Sequence, residues 1–78
     1  MEKGLKANIG QRITQRRIKL GLSREQLADI LGITSRFLFD IEAGKKGMSF
    51  ETFIKIRRTL DVSADWLLDG EQSGGEWW

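Results

Sequence analysis

The side chains in this 78-residue sequence best equipped for chemistry are its cations. Thirteen Lys and Arg stand against eleven Asp and Glu, with no histidine and no cysteine. The commonest general base and metal ligand is therefore missing, as are thiolate sites and disulfides. Without a carboxylate pair placed for a pocket, a metal cluster or a glycine-rich phosphate loop, the chain is expected not to be an enzyme and to need no cofactor or metal. The bases fall in two blocks. Residues 1–24 carry Lys3, Lys6, Arg12, Arg16, Arg17, Lys19 and Arg24 against Glu2; residues 45–60 carry Lys45, Lys46, Lys55, Arg57 and Arg58 against Glu51. Residues 25–44 are net acidic, and residues 61–78 hold five acids and no base. Two basic blocks bracketing a short acidic stretch suit a polyanion ligand, and suit an ordinary solvated surface equally well.

The elements that must position these charges centre on Leu22 to Ala43, which reads as two short helices broken by Gly32. Before it, Leu5, Ile9, Ile13 and Leu20 follow helical spacing, with Arg16 and Arg17 filling the missing turn, and Gly21 ends this first helix. Ser23 is placed to cap helix two, with Gln26 completing a capping box and Leu22 and Leu27 forming a hydrophobic staple. Thr34 caps helix three, stapled by Ile33 and Leu38, and Ala28 is small where the two helices must approach. Leu38 and Ile41 turn inward, which leaves Ser35, Arg36, Phe39 and Asp40 on the outer face. Gly44 ends helix three. Ser49, with the staple Met48 and Phe53, starts a fourth helix whose core stripe is Phe53, Ile56 and Leu60 with Phe50 beside them. Asp61 suits a left-handed exit, and Ser63, stapled by Val62 and Leu67, caps a last short helix in which Trp66 is expected in the core. The expected division is a domain over 1–69 and a flexible tail over 70–78, where the sequence GEQSGGEWW loses all periodicity.

LSREQLADILGITSRFLFDIEAGKK followed by MSFETFIKIRRTLDVSADWLL resembles the phage repressor and Cro (Xre-type) helix-turn-helix family over roughly Ile9 to Leu68. Ala28 and Gly32 in the turn, Ile41-Glu42 and Gly44 closing helix three, and the ending from Asp61 to Leu68 carry the resemblance. It implies an all-α, five-helix lambda-repressor-like domain with the helix-turn-helix at helices two and three. It further implies a transcriptional regulator, most often a repressor, that binds double-stranded DNA as a homodimer with helix three in the major groove.

Carried over position by position, the resemblance puts Ser35, Arg36, Phe39 and Asp40 on the base-reading side of helix three. An arginine there can span both acceptors of a guanine. Phe39 departs from the small or polar residue usual at its position, and Asp40 cuts against affinity, since a carboxylate near phosphates repels. The phenylalanine could meet a thymine methyl, join a protein interface or fold over the Arg36 stem; the acid could accept from a cytosine amino group or pair with Arg36. Arg24, Thr34, Lys45 and Lys46 match phosphate-contact positions, helped by the free N–H groups of helix N-termini. Arg17 and Glu42 lie at the edges of apolar stripes, and the resemblance implies a buried salt bridge between them. Arg57 replaces a small residue usual in the family. With Ile54 and Arg58 it marks an expected dimer contact on the surface of helices four and five, as against plain exposure.

The runner-up reading is a partner-binding module of the antitoxin kind, favoured by Phe39, Asp40 and the terminal Trp77 and Trp78. Those two indoles could fold back on the domain, seal a dimer or bind a protein partner. Short apolar runs and an N-terminus without an apolar core point away from membranes and export, so a cytoplasmic protein of prokaryotic or phage origin is expected.

Overall fold

Four hydroxyl side chains set the frame. Ser23, Thr34, Ser49 and Ser63 each hold extended backbone angles and accept a hydrogen bond from the backbone N–H three residues on: Gln26, Phe37, Thr52 and Trp66, at 2.9–3.1 Å. Each bond satisfies a donor that a helix start would otherwise leave unpaired. At Ser23 the Gln26 side chain also accepts from the cap N–H, completing the capping box. In the computed structural model, which describes residues 2–70, the helices are α1 (Glu2–Lys19), α2 (Arg24–Leu31), α3 (Ser35–Glu42), α4 (Phe50–Leu60) and α5 (Ala64–Asp69). The fold is all-α, as expected.

Gly32 is where the conformation of a single residue decides the architecture. Its φ of 74° is left-handed, and its N–H and that of Ile33 close back on the carbonyls at the end of α2. The reversal turns the chain into α3 within two residues. Asp61 leaves α4 in the same region at φ 58°, as its residue type allows.

The core is Ile13, Leu27, Ala28, Leu31, Leu38, Ile41, Ile56, Leu60 and Leu67, all essentially inaccessible, with Ile9, Met48, Phe53 and Trp66 packed around it. α1 packs on α3, α4 and α5, while α2 packs on α3 and α4. Three apolar expectations fail. Leu5 and Leu20 are exposed, and Phe50 is 88% exposed, not part of the α4 stripe. The buried side of α1 is instead Gly10, Ile13 and Arg17 with Ile9 at its edge. Gly10 is buried because α1 crosses the end of α3 so closely that a β-carbon there would overlap the carbonyl oxygens of Ile41 and Glu42. A glycine and an arginine thus do the work that leucine spacing was expected to do. Gly70 caps α5 beside Arg12, and the rest of the expected tail, Trp77 and Trp78 included, lies outside the described residues.

Candidate nucleic-acid interface

The pairing of Arg17 with Glu42 is observed. The guanidinium donates from Nε to Oε2 at 2.8 Å and from a terminal nitrogen to Oε1 at 3.1 Å, with both side chains nearly inaccessible. Arg17 also donates to the Leu22 carbonyl at 3.0 Å, and Arg24 adds a third bond to Glu42, Nε to Oε1 at 3.2 Å. One carboxylate at the end of α3 therefore ties α1, the α1–α2 loop and the first residue of α2 together. The helix-turn-helix is clamped at the end remote from its turn, and a buried carboxylate with three donors is well satisfied.

Several cations of the two basic blocks are used inside the domain. Arg12 donates to the carbonyls of Leu67 and Leu68, and Arg16 donates to the Leu60 carbonyl at 2.8 Å. Both serve helix ends, where carbonyls lack intrahelical partners and carry partial negative charge. Arg57 donates to the Val62 carbonyl at 3.3 Å. Much of the positive charge of residues 1–24 is thus structural, and the polyanion footprint inferred from the blocks shrinks to a smaller set. No side-chain periodicity marks these roles, because the acceptors are backbone atoms.

What remains lies around α3. Ser35 is half-buried in its first turn and Arg36 is 79% exposed along its side chain. Phe39 is exposed, its ring flanked by Arg24 at 5.3 Å, Lys45 at 5.8 Å and Arg36 at 5.9 Å, measured to the centroid. It is the Arg36 guanidinium, not its stem, that approaches the ring, together with the charged ends of Arg24 and Lys45. Cations over an aromatic face are held in place without giving up their exposed N–H groups. Lys45 and Lys46 follow the helix, their backbone N–H groups bonding to the Asp40 carbonyl, with both side chains exposed. Thr34 is exposed at the N-terminus of α3 with its hydroxyl accepting the capping bond.

Two placements change. Asp40 is buried, not outward, with its side chain 7% accessible; its carboxylate lies 3.5 Å from Arg36 Nε and 3.6 Å from Lys46 Nζ. The paired alternative for this acid is the one observed. Arg24 spends its Nε on Glu42, so only part of its guanidinium faces outward. The structure brings Ser35, Arg36, Phe39, Lys45 and Lys46 onto one surface, and leaves Ile54 and Arg58 exposed on α4, away from the α3 cluster in sequence. Among the described residues no helix is long and apolar enough to cross a membrane.

A capped helix, a tight left-handed turn and a second capped helix with a cationic outer surface define a helix-turn-helix domain of the lambda-repressor-like kind. A family described as "Helix-turn-helix domain" matches residues 10–73. The chain is 38% identical over 61 residues to YonR, an SPbeta prophage-derived HTH-type transcriptional regulator of Bacillus subtilis, covering 78% of this chain and 56% of that protein. It is 34% identical over 66 residues to the HTH-type transcriptional regulator y4mF of Sinorhizobium fredii, covering 85% of this chain and 87% of that one. The chain thus spans little more than half the length of YonR. Among solved structures it resembles the restriction-modification controller protein C.AhdI from Aeromonas hydrophila, with TM-score 0.76, 28% identity and 83% and 94% of the two chains covered. It also resembles a chain of the SinR/SinI protein complex, with TM-score 0.74, 36% identity and 88% and 70% covered. The chain belongs to the helix-turn-helix family of DNA-binding transcriptional regulators.

Proposed function

We propose that this chain is a sequence-specific repressor that binds a two-fold symmetric operator as a homodimer, with α3 in the major groove. The observation that carries the reading is the division of α3 into two sides. Leu38 and Ile41 are sealed in the core, while Arg36 and Phe39 stand exposed beside Ser35, Lys45 and Lys46 on a helix short enough to enter a groove. A guanidinium on this surface can span the O6 and N7 acceptors of guanine, and the Phe39 ring offers an apolar edge for a thymine methyl. Lys45, Lys46, the outward part of Arg24 and the N-terminus of α3 at Thr34 supply phosphate contacts. Repression needs only occupancy of a site that overlaps a promoter.

A dimer is supported by α4. Phe50, Ile54 and Arg58 recur every fourth residue, share one helix face, and are all exposed. Arg57, engaged with Val62, stands beside that stripe. The bacterial and prophage sources of the relatives support a prokaryotic or phage-borne protein working in the cytoplasm.

An electrophoretic mobility shift with random genomic duplex DNA tests the reading. Retardation at about 50 mM salt that fades toward about 200 mM supports phosphate-driven binding by this surface. No retardation at the lower salt contradicts it and directs attention to a protein partner.

A further inference from the structure

We propose that Asp40 is a positioning residue for base recognition, fixing Arg36 so that its two terminal nitrogens present a fork to one guanine; this rests on the reading of α3 as the recognition helix. Asp40 lies on the same helix one turn after Arg36. Its side chain is 7% accessible, whereas those of Arg36 and Lys46 are 79% and 61% accessible. Of the three charges, only the carboxylate is fixed by packing. The cations adjust to it.

The carboxylate has a specific deficiency. Oδ1 is buried and has no hydrogen-bond partner, and its closest cation is Arg36 Nε, 3.5 Å away. Oδ2 is 3.6 Å from Lys46 Nζ. A buried oxygen left without a donor is costly, and a neutral side chain would fit this position more cheaply. The arrangement makes physical sense when the Arg36 guanidinium is drawn onto Oδ1 by its Nε–H. The four N–H bonds on the terminal nitrogens then remain free, and these are the ones that span guanine O6 and N7. Held this way, the fork loses less rotational freedom on reaching the base. The same negative charge repels nearby phosphates and so lowers affinity for every duplex. Asp40 therefore raises discrimination while weakening general binding, a pairing of opposite signs that a purely structural residue does not produce.

The test uses the full chain and a duplex obtained by selection from a random library. Binding is titrated to that duplex, to a copy with the Arg36-contacted guanine replaced, and to a scrambled duplex. Asp40→Asn is expected to reduce discrimination at the guanine about tenfold, within the range of a bidentate contact, while affinity for the scrambled duplex holds or rises. In an Arg36→Ala background the same change should leave discrimination untouched. Equal discrimination by wild type and Asp40→Asn, or an equal loss with and without Arg36, overturns the proposal while the recognition-helix reading stands. A wild-type chain that distinguishes no duplex overturns both. Should Asp40→Asn not fold, the Arg36 Nε–H resonance of the wild-type complex decides: protection from exchange with water is expected, and exchange at the rate of a solvated arginine refutes the anchor.

Discussion

Glu42 concentrates the structural chemistry of this domain in one carboxylate. Because it accepts from Arg17 twice and from Arg24 once while buried, its removal strands a guanidinium in the interior. Glu42→Ala is expected to cost about 3 to 5 kcal/mol. For a domain of this size that lowers the melting temperature by more than about 10 °C. A thermal melt within a degree or two of wild type would show that the clamp contributes little. Arg36 and Lys45 should separate in a different assay. Arg36→Ala is expected to relax preference at one base pair, and Lys45→Ala to weaken all duplexes alike and flatten the salt dependence by about one phosphate contact. Titrations of a selected and a scrambled duplex at two salt concentrations distinguish them, and equal losses from both variants contradict the division. The Arg17–Glu42 pair was legible in sequence because the resemblance marks both positions. Arg12 and Arg16 were not, since they donate to backbone carbonyls at the ends of distant helices. Asp40 was misplaced for a related reason. Charge argues for the outside, and only the packed structure shows an acid drawn inward under two cations.

At the scale of helices, starts and stops were the most legible features because they are local. A hydroxyl, its N–H partner three residues on and the flanking apolar pair all lie within a few positions, and all four expected caps formed. Packing faces are not local. Leucine spacing assigned α1 a stripe through Leu5 and Leu20, yet the face in contact is built on Gly10 and Arg17 because α3 crosses too closely for a larger side chain. Gly10→Ala, a substitution that ordinarily favours a helix, is therefore expected to destabilise by at least about 1 to 3 kcal/mol. Denaturant unfolding reads the change, and unaltered or increased stability would mean that α1 and α3 can move apart freely. Phe50 illustrates the converse. Adjacent to a cap and apolar, it reads as core, but it stands in solvent on the face shared with Ile54 and Arg58.

For the whole molecule, that face of α4 is where self-association is expected, with two copies placing their α3 helices about 34 to 36 Å apart, one turn of DNA. Light scattering at micromolar concentration should report a dimer with operator DNA bound. Phe50→Asp, at a position already in solvent, should shift the mass toward the monomer without changing the melt. A monomer throughout, bound to a single half-site, contradicts the arrangement.

Methylation interference on a selected duplex asks whether the exposed side of α3 reads bases in the major groove through Arg36. Methyl groups on guanine N7 project into that groove. Methylation of one guanine in each half-site is expected to block wild-type binding, and that block should disappear at the same guanine in Arg36→Ala. Binding insensitive to N7 methylation at every guanine, or an interference pattern unchanged by Arg36→Ala, would rule out base reading by Arg36 in that groove.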